Sequence, residues 1–377
     1  MANPRLLQPD GQRIVRRLLS LLDIASPSGF TDAIVHHVCS ELAAIGIRHE
    51  LTRRGAIRAT LPGRSQAPSR GVIAHLDTLG ALVRNLKDNG RLQLAMIGHW
   101  SARFAEGARV TLFTDAGRHR GTILPLKASG HVYNEEIDTQ PVGWDHVELR
   151  IDEPVTDRAG LQALGVQIGD FIAVDPQPEV QDNGFIVSRH LDDKAGVAVL
   201  LEVASLVAEA QVELPVDCHL LFTISEEVGS GASAILHGDV AELVAIDNGT
   251  QAPGQASREF GVTVAMADQT GPFDFHLTRM LLDLAREHGI DHQRDVFRYY
   301  RCDAASAVEA GNDIRTALLA FGIDASHGYE RIHLDSLECL ARLLALYVQC
   351  PPVVARDVKP LGPVKGFPFE AQEELGT

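Results

Sequence analysis

The stretch FTISEEVGSG at 222–231 ends an apolar run in two adjacent carboxylates, Glu226 and Glu227. Like charges side by side repel, and burying either is costly unless it is paired or bound to a cation. Four other apolar runs end in metal-competent side chains: IAHLD in His75 and Asp77, SRHLDDKAG in Asp192 and Asp193, LVAIDNG in Asp247, and IDASHGYE in His327. Carboxylates and imidazoles without cysteine suit zinc, manganese or cobalt, and two such cations about 3.5–4 Å apart clamp a hydrolytic transition state. A metal pair needs a bridging carboxylate. Asp192, between Leu191 and a helix start, is expected to supply it, and Asp193 to cap that helix.

The paired glutamates then divide the work, one as ligand and the other as proton shuttle. Neighbours in a strand point to opposite faces, so both reach one cleft only if the strand stops at Ser225 or Glu226, and VGSG gives the backbone that freedom. His75 and Asp77, two apart, share a face, so Asp77 is expected to hold His75 in place. Taken singly, each piece has a plainer reading: a surface hydrogen-bonded pair, a solvated strand end, an acidic helix N-terminus. The ordered set is what points to metal.

These side chains need strands and helices to bring them together. Residues 11–24 and 31–45 read as amphipathic helices, separated by the turn-forming SPSG, and GVIAHLDTLG at 71–80 as a buried strand running into a loop. Short alternating segments between turns make 81–178 a small β-rich module. Beyond it, a helix is expected at 193–210, strands at 216–224 and 243–247, a helix starting at 231–237 and a last helix at 335–349. Such alternation predicts an α/β sheet protein with its ligands beyond the carboxyl ends of the strands. The domain scheme is 1–80 and 179–350 for the catalytic part, 81–178 inserted, and a Pro/Gly-rich tail at 351–377, disordered or laid across a surface.

The ordered set AHLDTLG, HLDDKAG, TISEEVGSGA, VAIDNG and SHGYE resembles the dinuclear metallo-aminopeptidases of the tetrahedral (TET) and glutamyl aminopeptidase family. The likeness runs over nearly all of 10–348, and LGVQIGDFIAVDP matches the phrase that leads back into the family's catalytic domain. It implies a mixed-sheet, zinc-exopeptidase-like fold with 81–178 as an inserted dimerisation domain. It also implies that His75 and Asp247 ligate one metal, Glu227 and His327 the other, Asp192 bridges and Glu226 is the general base. Two divalent ions per subunit follow, zinc first, cobalt or manganese as alternatives. CDAAS at 302–306 resembles a segment near the family's cleft, making Asp303 a candidate for substrate-pocket support. The implied assembly is a dimer or a twelve-subunit shell.

Three features depart from the family pattern. Lys194 stands where arginine is usual, the last ligand sits in ASHGYERIH with His333 as a rival to His327, and typical members lack a tail after 350. The altered site resembles the variant found near bacterial genes for dipeptide osmoprotectants. Hydrolysis of N-terminal residues from short peptides is the leading expectation. An amidohydrolase or deacylase acting on a small N-acyl or dipeptide-type substrate is the second, and a non-catalytic assembly protein the third.

Composition narrows the partners. A net charge of −16 over 377 residues argues against non-specific nucleic-acid binding, which needs a surplus of Lys and Arg. Five scattered cysteines without a CxxC pair suggest neither a disulfide framework nor a zinc ribbon and fit a reducing cytoplasm. No apolar run reaches the roughly 18 residues of a membrane span and the N-terminus lacks a cleavable leader pattern, so no membrane partner is expected.

Overall fold

The computed structural model describes residues 4–368. Four parallel strands form the middle of a 12-stranded mixed sheet, in the spatial order Leu214–Thr223, Gly63–His75, Val240–Thr250 and Arg315–Asp324. Their apolar runs are buried on both faces, as parallel strands require. Antiparallel strands flank them, Ile57–Leu61 and Arg48–Leu51 on one side and Glu330–His333, Phe185–Ser188 and Glu179–Val180 on the other. The register sets Thr223 opposite His75 and Asp247 opposite Ala320, so the carboxyl ends of the central strands share one edge.

The helix Leu191–Glu209 packs between this sheet and the helices Gly11–Leu22 and Leu334–Tyr347. Its small and aliphatic residues are buried almost throughout, which suits a helix with no solvent face. Regular helix starts only after Asp193, because Asp192 and Asp193 have non-helical backbone angles and are joined by a cis peptide. The helix expected from 231 shrinks to a single 3-10 turn, Gly231–Ala234. The Asp303 and Ser306 side chains accept the Ala232 N–H, drawing it away from a helical ladder.

Between the sheet strand ending at His75 and the return near Asp175, six strands close into a barrel: Gly80–Leu86, Leu92–Ile97, Val147–Ile151, Gly117–Pro125, Arg109–Thr114 and Phe171–Val174. Inward side chains such as Val83, Leu94, Leu112, Ile123 and Leu149 form a core separate from that of the sheet. Closure gives every barrel strand a neighbour on both sides, although Leu92–Ile97 meets Val147–Ile151 at a single residue pair.

Residues 351–368 contain neither helix nor strand but are laid on the body of the protein, and 369–377 of the expected tail lie outside the described residues. Val353 N–H donates to the buried Glu242 carboxylate, and Arg315 Nε donates to Asp357 Oδ2 at 2.6 Å. The tail is therefore tied near the starts of two central strands. Among the described residues no helix is long and apolar enough to cross a membrane.

Candidate active site

The strand carrying the two glutamates ends at Thr223, and Gly229, at φ +79°, completes the turn behind them. With the strand finished, Glu226 and Glu227 are free of its alternation and both face the cleft. Asp77 holds that turn: its Oδ1 accepts the Glu226 N–H at 3.0 Å and its Oδ2 the Glu227 N–H at 3.3 Å. Ser28 Oγ donates to the same carboxylate at 2.5 Å.

His75 is the last residue of its strand. Its Nδ1–H donates to the backbone carbonyl of Asp77 at 2.9 Å, which leaves Nε2 toward the cleft, 3.1 Å from Asp192 Oδ1. Asp192 Oδ2 lies 3.3 Å from His327 Nε2, so the carboxylate spans the two imidazoles. The His327 ring is turned the same way, its Nδ1–H donating to the carbonyl of His99 at 2.9 Å. Two triads result, His75–Asp192–Asp247 and Asp192–Glu227–His327, each with its ligand atoms within 4.8 Å of one another. Asp192 belongs to both. Glu226 belongs to neither, with Oε2 3.8 Å from His75 Nε2.

Some expected contacts take another form. Asp77 meets His75 through its main chain, since its carboxylate is occupied by Ser28 and the glutamate N–H groups and stands 3.7 Å from Nδ1. Asp193 makes no capping bond: one oxygen accepts the His75 N–H at 3.2 Å and the other has no hydrogen-bond partner among the described residues. His333 is away from the cluster, bonding the Asn183 carbonyl and the Asp335 N–H at the start of the last helix. Asp303 sits beneath the glutamate turn, where its carboxylate accepts from Thr223 Oγ1 and the Ala232 N–H. His190 is half-buried against the barrel's return strand, bonded to the Val174 carbonyl. Lys194 donates to the carbonyls of Leu21 and Ile24, at 3.0 and 2.7 Å, with its whole side chain buried.

Two residues that the sequence reading gave no role complete the centre, although both stand inside the ordered motifs, Asn248 in VAIDNG and Glu330 in SHGYE. Glu330, 1% exposed, accepts the N–H groups of Leu191, Asp192 and His327 at 2.7, 3.3 and 2.9 Å. Asn248 donates from its amide to Asp192 Oδ2 at 2.7 Å and to Asp247 Oδ1 at 3.1 Å. A polar residue directly after Asp247 was the available signal for Asn248. For Glu330 the sequence offered only a carboxylate three places after a histidine.

Crowding sets the electrostatics. Burial pushes Glu227 up to about 8, with His327 pulling the other way, and burial together with the Asp192 charge pushes Asp247 up to about 8. Burial raises Glu226 well above the ordinary carboxylate range despite His75. The imidazoles move up as well: against burial, the Asp192 hydrogen bond and the surrounding carboxylates raise His75 and bring His327 to about 10. Asp192 goes down, burial being outweighed by the bonds from His327 and His75. Such a set is short of positive charge, and Glu227 Oε1 has no hydrogen-bond partner among the described residues. Buried hard oxygens and imidazole nitrogens with one carboxylate shared between two triads fit a pair of divalent cations.

Comparison with known proteins gives the same direction. Residues 55–343 match the profile of the M42 glutamyl aminopeptidase family. The Bacillus subtilis (strain 168) protein named "Putative aminopeptidase YhfE" is 38% identical over 343 residues, covering 91% of this chain and 99% of that protein. The glutamyl aminopeptidase of Lactococcus lactis subsp. cremoris (strain MG1363) is 26% identical over 219 residues, covering 56% and 59%. In fold, the chain is similar to the TET aminopeptidase of Thaumarchaeota archaeon SCGC AB-539-E09, with a TM-score of 0.82 at 17% identity over 92% of this chain and 98% of that one. The Pyrococcus horikoshii TET1 peptidase, described as assembling into a tetrahedron or a large octahedral shell, gives 0.79 at 23% identity over 89% and 99%.

Proposed function

The chain belongs to the M42 glutamyl aminopeptidase family, and from that premise we propose that it is a dinuclear-metal aminopeptidase removing N-terminal residues from short peptides. The observation that carries the reading is the pair of ligand triads meeting at Asp192. His75 and Asp247 would hold one divalent cation, Glu227 and His327 the other, and Asp192 both. When bound, the cations supply Lewis-acid polarisation of the scissile carbonyl and a water acidified to a pKa of roughly 7.

The chain's own groups do the rest. Glu226 stands beside the ligands without belonging to either triad, so its carboxylate is free to take a proton from the attacking water and return it to the leaving amine. Burial raises its proton affinity above that of a solvated carboxylate, which suits it to that exchange. Asp77 fixes the approach by holding both glutamates through their N–H groups. The five unpaired cysteines support a reducing, cytoplasmic setting.

The glutamates provide the test. After reconstitution with zinc, cobalt or manganese, Glu226→Gln should retain up to two metals per chain and lose nearly all peptide hydrolysis. Glu227→Ala should lose metal affinity. Metal analysis and aminopeptidase assays on both variants decide it, and equal behaviour of the two would refute the division of roles.

A further inference from the structure

Beside Glu227 lies an open hollow of about 590 Å³ at the seam of sheet and barrel, with Ser28 and His99 as its other polar lining. The barrel contributes Leu82, Met96 and Phe171, and the glutamate turn contributes Glu227 and Val228. Met96 is 43% exposed and Val228 55%, an apolar concavity left facing water. Phe171 stacks against Phe30 with ring centroids 5.3 Å apart, which fixes its place in the wall. No lysine or arginine among the described residues lines the hollow.

The hollow joins the candidate centre directly. A side-chain carbon built on Gly98 would lie 3.5 Å from Glu227 Cβ, and the next carbonyl, that of His99, accepts the His327 Nδ1–H. One segment thus backs both the ligand His327 and the hollow.

We propose that this hollow is a substrate subsite that takes the apolar side chain of a residue flanking the scissile bond. The proposal rests on the peptidase reading above. Leucine or methionine would displace water from the exposed apolar groups of Met96 and Val228, and a thioether chain adapts to several apolar shapes. A glutamyl side chain would exchange water for this apolar wall without a lysine or arginine in the lining to pair its carboxylate, which disfavours binding. Selectivity in this chain therefore runs toward neutral apolar residues, unlike the preference in the name of its Lactococcus relative.

The experiment uses the full-length, zinc-loaded protein on a grid of dipeptides carrying Leu, Met, Ala, Glu or Lys on either side of the scissile bond. At one of the two positions, Leu should exceed Glu in kcat/KM by about tenfold or more, the scale of discrimination an apolar pocket gives. Met96→Lys should cut that ratio about tenfold at the same position, and Met96→Ala should reduce it without adding charge. Both substitutions fall on a half-exposed barrel residue, where folding is tolerant. Peptide hydrolysis whose Leu-to-Glu ratio stays within about twofold in both variants overturns the subsite and leaves the peptidase reading intact. Failure of the loaded protein to hydrolyse any dipeptide overturns the peptidase reading and the subsite with it.

Discussion

Glu330 connects the two halves of the centre through backbone alone, accepting N–H groups on either side of the sheet crossover that separates Asp192 from His327. Partners that orient ligands typically carry about 10–100-fold of metal affinity. Glu330→Ala should therefore weaken metal binding by about that factor, measured by competition with a chelator, and Glu330→Gln, which keeps one acceptor oxygen, should lie between it and wild type. Wild-type affinity in both variants would disprove the role. Most of the cluster was legible in the sequence because His75, Asp192, the glutamates, Asp247 and His327 each follow an apolar run that a sheet must bury. Glu330 and the hold of the Asp77 carboxylate on the glutamate N–H groups were not. Apart from the His327 N–H, their partners are peptide groups far away in the chain, and a peptide group leaves no trace in residue identity.

At the scale of elements, the central strands were legible from their apolar runs, whereas barrel closure was not, because alternation predicts strands without saying which pair. The close approach of backbones was also hidden. At Gly322 a built side-chain carbon falls 1.7 Å from the Arg258 carbonyl oxygen, so Gly322→Ala must displace main chain. It should cost about 3 kcal/mol, read from urea unfolding, and an unchanged midpoint would contradict the packing. The strand Leu214–Thr223 holds His219 between Thr60 and Asp239, and burial, helped by Arg58, lowers its pKa from 6.5. The unfolded chain takes up that proton first. The stabilising share of His219 is thus complete above about pH 6.5 and declines as pH falls below it. Acidification from about pH 7 to pH 5 should destabilise wild type more than His219→Gln, and parallel unfolding midpoints would refute the assignment.

For the whole molecule, association of copies is an expectation that comes from the resemblance of 81–178 to an inserted dimerisation domain, and the Pyrococcus horikoshii TET1 peptidase of similar fold is itself described as assembling into a shell. Light scattering should give a dimer of 2 × 40.8 ≈ 82 kDa or a shell of 12 × 40.8 ≈ 490 kDa, and a monomer of 40.8 kDa would exclude both. The barrel also carries the carbonyl that orients the His327 ring, a bond between residues 228 positions apart in the chain. Domain shuffling meets a constraint there. A chimaera that replaces the barrel with a linker, or with a homologue's module in a different rotation, would leave that imidazole free to switch tautomer and point its proton at the cleft. The insert is therefore no detachable accessory: whoever grafts it must transplant the oxygen of residue 99 along with it.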